Sequence, residues 1–171
     1  MSTSQSLPTP SDCYRDHDGR LTEAIVRSAA AIPNQNSWLV AVDGSADSLE
    51  AINQAIHLSL KMHSNGIILV HVHPWMSKEA AETDLLKLAW QTTESARNAI
   101  EQAGLQWQLH AAMGRCAEKI VDIAQQQECY GIVIGSRGLS ATHSLLLGST
   151  AYKVIHLAHQ PVMVSKRNAP N

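Results

Sequence analysis

One stretch of sequence decides the fold: Ile132-Val133-Ile134-Gly135-Ser136-Arg137-Gly138, followed after nine residues by Gly148-Ser149-Thr150. An apolar run stops abruptly in a glycine-rich turn, and a helical pattern begins after the second cluster of small residues. Glycine lets backbone amides approach an anion closely, and a helix N-terminus carries a partial positive charge. The stretch therefore predicts a strand, a phosphate-binding turn and a helix in succession.

This glycine pattern differs from the two common phosphate-binding fingerprints. No lysine follows Gly148, so the pattern is not GxxxxGK[ST], and GxGxxG is also absent. One alternative is that Gly135 and Gly138 are only turn residues and that Gly148 is a point of close packing. The strand before, the helix after and the hydroxyl groups of Ser149 and Thr150 favour phosphate binding instead.

Strand and helix patterns alternate on both sides of this stretch. Short apolar or alternating runs predict five strands at Trp38–Val42, Ile67–Val72, Leu105–Met113, Gly131–Ile134 and Pro161–Ser165. Helical periodicity separates them, with a helix capped by Ser45 and a long one over Lys78–Ala103. Regular alternation predicts a single α/β domain whose parallel sheet carries helices on both faces. The strict alternation of Leu105–Met113 places that strand near an edge.

Ligands of such sheets bind beyond the carboxyl ends of the strands, where the strand order reverses. The turn Asp43-Gly44-Ser45 ends the first predicted strand, and Gly135–Gly138 ends the fourth. If those two strands are neighbours, both turns lie at one crevice. Asp43 could also be an ordinary Asx-turn residue.

The first 36 residues differ in composition from the rest. Met1–Arg20 is polar and is expected to be loosely ordered, whereas Leu21–Ile32 has the spacing of a short amphipathic helix. We therefore divide the chain into an N-terminal extension (1–36), partly disordered with that short helix, a domain (37–167) and a tail (168–171). The extension is expected to dock on the domain or on a partner.

Composition excludes several classes of function. The net charge is −2 and aromatic residues make up 4% of the chain, which argues against nucleic acid and membrane surfaces as partners. Cys13, Cys116 and Cys129 form no CxxC pair and are expected to be reduced thiols. The sequence has no secretion signal and no apolar run long enough to cross a bilayer, which predicts a cytoplasmic protein.

Three motifs together resemble the universal stress protein family. They are Val40-Ala41-Val42-Asp43-Gly44-Ser45, Leu69-Val70-His71-Val72, and the glycine pattern that begins at Gly135. The glycine spacing is similar to that of the ATP-binding branch, and the resemblance covers residues 37–167. It implies a five-stranded parallel sheet in the order 3-2-1-4-5 and a homodimer formed through the last strand.

The resemblance also implies a ligand, ATP, which a divalent ion such as Mg²⁺ can accompany, although the sequence contains no dedicated metal cage. It places Asp43 beside the ribose, the backbone of Val72 at the adenine, Gly135 close to the ribose, and Gly138, Gly148, Ser149 and Thr150 around the phosphates. In the sequence between Gly138 and Gly148, only His143 can become cationic, and Arg137 is the remaining nearby positive charge. Phosphate affinity would then rest on backbone amides.

No catalytic arrangement stands out in the sequence, and a single carboxylate gives weak support for efficient hydrolysis. His71 and His73 have a spacing that can serve a metal, but structural roles fit them better. We therefore expect a regulatory protein that senses or responds to adenine nucleotide with little or slow turnover. Two alternatives stay open: a dimeric interaction protein that binds no nucleotide and works through its extension, and a slow ATPase or autophosphorylating protein.

Overall fold

The computed structural model describes residues 6–30, 36–64, 66–139 and 147–167. In chain order the elements are β1 (Asp12–Arg15), β2 (Leu21–Arg27), β3 (Trp38–Ala41), α1 (Ala46–Lys61), β4 (Gly66–His73), α2 (Lys78–Thr92), α3 (Glu94–Gln102), β5 (Gln106–Met113), α4 (Cys116–Gln126), β6 (Gly131–Gly135), α5 (Ser149–Leu157) and β7 (Val162–Ser165). The predicted tail 168–171 and His143 lie outside the described residues, as do parts of the extension. In the part of the chain that is described, no helix is both long and apolar enough to cross a bilayer.

The strands form one mixed sheet in the order β1-β2-β5-β4-β3-β6-β7. The five strands from β3 to β7 are parallel and keep the predicted order 3-2-1-4-5. The prediction of a purely parallel, five-stranded sheet is nevertheless wrong. Two further strands, β1 and β2, extend the sheet in antiparallel fashion beside β5.

These two added strands come from the N-terminal extension. The short helix predicted over Leu21–Ile32 is wrong where the chain is described, because Leu21–Arg27 is strand β2. Residues 12–15 of the polar segment are likewise ordered as β1. The cause is tertiary: β2 buries Ala24 and Val26 on one face of the sheet and Ile25 on the other, and it satisfies the backbone of β5.

The position predicted for β5 also changes. Leu105–Met113 was expected near an edge, but β5 has β4 on one side and β2 on the other and is buried from Trp107 onward. Of the polar residues that alternate along it, Gln106 is exposed but the next two do not face water. Gln108 and His110 are both buried in a hydrogen-bonded network with residues of β2 and α4.

Helices cover both faces of the sheet, as predicted. The apolar faces of α1, α2 and α3 pack on one side with residues such as Val40 and Leu69, and α4 and α5 pack on the other with residues such as Leu39 and Ile68. The two interleaved sets of side chains reflect the period of two along each buried strand.

The capping prediction for the first helix is confirmed, but the long second helix is interrupted. The Ser45 hydroxyl accepts a hydrogen bond from the Ser48 amide at 3.2 Å and begins α1. The segment predicted as one helix over Lys78–Ala103 breaks at Thr93 into α2 and α3. At the break, Thr93 Oγ1 donates to the Ala89 carbonyl at 2.7 Å and Arg97 Nη2 donates to the Trp90 carbonyl at 2.7 Å. Side chains therefore supply donors to carbonyls around the interruption.

Candidate functional site

A cleft opens at the carboxyl edge of the parallel strands, where the strand order reverses. Strands β3 and β6 are hydrogen-bonded neighbours, so the turn after β3 and the glycine turn after β6 lie side by side. The cleft has a volume of about 450 Å³, within the range of small-molecule sites. The adjacency of the two turns, on which the sequence argument depended, is confirmed.

All seven residues predicted to form the site line this one cleft. They are Asp43, Val72, Gly135, Gly138, Gly148, Ser149 and Thr150. Their positions agree with the sequence analysis, while the ligand contacts assigned to each of them stay predictions.

Asp43 links the two turns across the cleft. Its Oδ1 accepts a hydrogen bond from the Ser45 amide at 2.9 Å, which makes an Asx turn. Its Oδ2 accepts one from the Leu139 amide, 96 residues away, at 3.2 Å. A Cβ at position 138 would stand 2.7 Å from the same Oδ2, so Gly138 permits this close approach. The Asx-turn interpretation and the cleft position are therefore both correct.

Gly135 and Gly148 allow close contacts of the backbone. A Cβ at position 135 would lie 2.8 Å from the backbone of Asp47 and Ser48, so the end of β6 packs directly on the first turn of α1. The Gly148 amide donates to the Ser136 carbonyl at 2.7 Å, and a Cβ there would lie 3.2 Å from that oxygen. The glycine spacing thus serves packing between elements as well as the shape of the cleft.

Helix α5 begins at the cleft. Gly148 is its N-cap residue and has no side chain, and no side-chain hydrogen bond caps the helix in the described part of the chain. Ser149, Thr150 and Ala151 of its first turn line the cleft. The first amides of a helix lack intrahelical partners and attract anions. The start of α5 and the glycine turns form the polar half of the cleft, and this arrangement suits an anionic group there.

The other half of the cleft is apolar. It is lined by Ala41, Val42, Val70, Val72, Ile120 and Ile134. The Val70 carbonyl accepts from the Val42 amide at 2.9 Å, so this edge of β4 faces β3. Successive residues of a strand alternate the side to which their backbone groups point. Val72 therefore presents its amide and carbonyl to the same side as Val70, past the end of β3.

His71 has a structural role in this wall. Its Nδ1 lies 2.8 Å from the Val42 carbonyl, to which the ring donates a hydrogen bond. Burial lowers the pKa of the imidazole, and the bond to the carbonyl opposes that shift only in part. The interpretation of His71 as a hydrogen-bonded structural histidine agrees with this geometry. The described residues include no cluster of three or more metal-ligating side chains.

A buried carboxylate supports the glycine turn and was missed by the sequence analysis. Asp47 Oδ2 accepts from Ser136 Oγ at 2.7 Å and lies 3.5 Å from Arg137 Nε, while its Oδ1 accepts from the Arg167 amide at 3.1 Å. Burial acts to raise the pKa of Asp47, but these hydrogen bonds and the Arg137 charge lower it below its ordinary value. Nothing in the sequence near Asp47 points to partners about 90 and 120 residues away.

Cys116 is a second residue that the sequence analysis did not assign to the site. It is the first residue of α4 and lines the cleft opposite the glycine turns, near Thr150. Cys116 is exposed as a whole residue, but desolvation of its thiol beside the cleft, together with the charge of Asp43, raises the pKa of Cys116. The parallel topology was the only available signal, because it brings the turn after β5 to the same edge as the glycine turns.

A doubly wound sheet with a ligand cleft at its switch point defines a class of α/β proteins that is widely used for nucleotides. The model of the universal stress protein family matches residues 37–166. The chain belongs to this family.

Two curated relatives have comparable lengths. The chain is 30% identical over 137 residues to universal stress protein MJ0531 of Methanocaldococcus jannaschii, with 75% of this chain and 81% of the relative covered. It is 28% identical over 147 residues to universal stress protein YxiE of Bacillus subtilis, with 75% and 97% covered.

Two solved structures share the fold and hold adenine nucleotides. One is the universal stress protein from Archaeoglobus fulgidus in complex with dAMP, at a TM-score of 0.61 and 23% identity, with 77% of this chain and 98% of that chain covered. The other is a universal stress protein family protein from Arabidopsis thaliana with AMP bound, at a TM-score of 0.57 and 21% identity, with 78% and 93% covered.

Proposed function

We propose that this chain binds ATP in the cleft and works as a regulatory protein that senses adenine nucleotide, with little or slow hydrolysis. One observation carries the proposal: the turns after β3 and β6 meet at a partly apolar cleft, beside a helix start that no side chain of the described residues caps. Membership of the family and the AMP and dAMP found in two relatives of the same fold add to it.

The apolar half of the cleft suits the adenine ring. Its walls are aliphatic side chains from β3, β4, β6 and α4, so a planar apolar ring gains by leaving water there. The backbone groups of Val72 point toward this space and would donate to and accept from the edge of the base. Asp43, at the boundary between the two halves, would accept a hydrogen bond from a ribose hydroxyl.

The polar half of the cleft suits the phosphates. Gly138 and Gly148 line this half, and the first turn of α5 offers amides and two hydroxyl groups at Ser149 and Thr150. Oxygen ligands for a divalent ion would come mainly from the phosphates themselves, because the described residues provide no cluster of acidic or histidine side chains.

Slow turnover follows from the partners of the charged groups. Both oxygens of Asp43 already accept hydrogen bonds from backbone amides, and Arg137 lies beside the buried Asp47. Neither is placed to act freely as a base or as a cation that stabilises a transition state. We expect phosphate release near the uncatalysed rate, unchanged in Asp43→Ala. A rate that falls with that substitution would favour the slow ATPase instead.

The decisive test of binding is calorimetric titration with ATP and Mg²⁺, together with mass spectrometry of any nucleotide released from the purified protein. Gly148→Val should abolish binding because a branched side chain would enter the space beside Ser136 and the first turn of α5. Gly148→Ala is the matched control, since its Cβ needs a shift of only a few tenths of an ångström. Absence of binding heat at submillimolar wild-type protein would refute the proposal.

We further propose a homodimer formed through β7. In the described part of the sheet β7 pairs with β6 alone, and Val164, Tyr152 and Ile155 expose apolar surface beside it. Light scattering should give twice the mass of the 18.6 kDa chain. Val164→Lys should shift the protein toward the monomer, whereas Tyr14→Lys on the opposite edge strand β1 should not. A wild-type monomer at high concentration would contradict this assembly.

A further inference from the structure

A second, smaller groove adjoins the phosphate half of the cleft. Its volume is about 260 Å³, and it lies between the first turns of α4 and α5. The groove shares Cys116, Ser149 and Thr150 with the cleft, so the two spaces meet along these residues. A ligand held at the first turn of α5 could extend from one space into the other.

The groove carries two cations, whereas Arg137, which lines the cleft, already lies beside a carboxylate. Arg115, the N-cap residue of α4, stands on one wall, and Lys153, one turn after Ser149 in α5, stands on the other. The Arg115 side chain is 83% exposed and its ion-pair partner is Glu118, at 4.0 Å. Lys153 is exposed and has no ion-pair partner among the described residues. Both cations are therefore available to a ligand, in contrast to Arg137, which lies beside Asp47.

The balance of charge in the groove favours an anion, although not without opposition. Arg115 and Lys153 contribute two positive charges and Glu118 contributes one negative charge. If AMP binds with its phosphate at the glycine turns and the first turn of α5, its phosphate would lie beside Ser149 and Thr150, where the cleft and the groove meet. A longer phosphate chain would continue past Ser149 and Thr150 toward the two cations.

We propose that this groove is a subsite for the terminal phosphates of a nucleoside triphosphate, and that Arg115 and Lys153 make the chain prefer ATP to AMP. This inference rests on the proposed nucleotide site and adds to it the selection of phosphate-chain length. Glu118 tempers the preference, because its carboxylate repels the same phosphates. Changes to the three side chains should therefore alter affinity in opposite directions.

The test compares the Kd values of AMP and ATP, with Mg²⁺ held constant, for the wild type and for Arg115→Gln/Lys153→Gln. Two exposed charge contacts of this kind together change ATP affinity by about 5- to 10-fold. The double variant should lose that factor for ATP and keep its affinity for AMP. The control is Lys61→Gln/Lys87→Gln, which removes the same net charge at two exposed lysines that do not line the cleft or the groove and should change neither Kd.

A variant that removes the negative charge of the groove should change ATP affinity in the opposite direction. Glu118→Gln removes the repelling charge and should tighten ATP about 2- to 5-fold with no change for AMP. The preference of the wild type for ATP should also shrink as salt rises, because exposed charges are screened. A loss of ATP affinity in Glu118→Gln would contradict the assignment.

The outcomes separate this subsite from the site itself. If the wild type binds neither nucleotide, the proposed function fails and the subsite fails with it. If AMP and ATP bind equally, or if the Arg115/Lys153 variant weakens both nucleotides by the same factor, the cleft remains a nucleotide site and only the subsite is refuted. The subsite is supported if Arg115→Gln/Lys153→Gln loses affinity for ATP and keeps its affinity for AMP.

Discussion

The cleft between β3 and β6 and the hairpin formed by β1 and β2 belong to the same sheet, but different kinds of contact specify them. The cleft is made from turns whose glycines meet backbone atoms, and its polar groups remain open to a ligand. The hairpin is held by backbone pairing and by buried side chains of β2 that pair with residues of β5 and α4. The ligand site and the added edge strands can therefore be perturbed separately.

The hairpin depends on a polar network inside the sheet. His110 Nδ1 donates to Glu23 Oε1 at 2.5 Å, and Lys119 Nζ lies 3.5 Å from the other oxygen of Glu23. The Gln108 amide contacts His110 Nε2 at 2.7 Å, and its carbonyl accepts from Arg27 Nε at 2.8 Å. The hairpin is thereby joined to both β5 and α4.

The largest effect is expected from removal of the central carboxylate of this network. Glu23→Ala leaves buried donors without an acceptor and should lower the free energy of unfolding by about 3 kcal/mol. Urea titration measures the loss, and Glu50→Ala, which breaks hydrogen bonds only within α1, should cost far less. A cost below 1 kcal/mol for Glu23→Ala would mean that the network does not hold the hairpin.

The next largest effect is expected at the cleft, where the end of β6 packs on α1. Gly135→Ala forces a Cβ to within 2.8 Å of backbone atoms of α1, so the end of β6 must move. It should destabilise the fold by about 1–3 kcal/mol and also weaken ATP, as measured by urea and calorimetric titration. Glu23→Gln, which keeps an acceptor for His110, should leave ATP affinity unchanged. If Gly135→Ala binds ATP as tightly as the wild type, the packing of β6 against α1 does not determine the affinity of the site.

The sequence predicted the cleft better than the hairpin, for a physical reason. Glycines, turn residues and helix starts act on their immediate neighbours, so Asp43, Gly138 and Gly148 could be assigned to one edge of the sheet once the alternation of elements was recognised. The pairing of Glu23 with His110 joins residues 87 positions apart. Leu21–Ile32 satisfies a helical spacing, but Leu21–Arg27 forms a strand because it pairs with the open edge of β5.

The same limit applies within the candidate site. Asp47, Arg115 and Lys153 are charged residues on helices and read in the sequence as ordinary solvated positions. Their places around the cleft and groove depend on how α1, α4 and α5 pack against the sheet. The sequence analysis also missed the interruption of the helix at Thr93. The apolar residues keep their helical spacing across Thr93, so the spacing gives no sign of the break.

Acid should affect the hairpin through Glu23. Burial acts to raise the pKa of this carboxyl, but the hydrogen bond and charge of His110 and the charge of Lys119 lower it overall. The unfolded chain then binds a proton more readily than the folded protein. The stabilisation that Glu23 contributes is fully present above the ordinary glutamate pKa of about 4.3. It is lost as the pH falls toward the lower pKa that Glu23 has in the folded protein. Urea midpoints between about pH 6 and about pH 3 should fall less steeply in Glu23→Gln; parallel curves would contradict this assignment.

The smallest effect is a difference in reactivity between two cysteines. Both residues are exposed, but Cys116 lines the cleft, whereas Cys13 lies on β1 at the far edge of the sheet. Burial and the Asp43 charge raise the pKa of the Cys116 thiol, so alkylation is followed at mildly alkaline pH. ATP at ten times its Kd should slow the alkylation of Cys116 about tenfold and leave Cys13 unaffected, as mass spectrometry of peptides would show. Equal rates with and without ATP would place the ligand elsewhere.

The most direct test of the central claim is an amide-resolved NMR titration of the labelled protein with ATP and Mg²⁺. We predict that the amides of Gly138, Gly148, Ser149 and Thr150 shift strongly, together with that of Val72, while the amides of β1 and of the middle of β2 stay in place. Shifts confined to the hairpin, or none at saturating ATP, would contradict the assignment of the cleft as an adenine-nucleotide site.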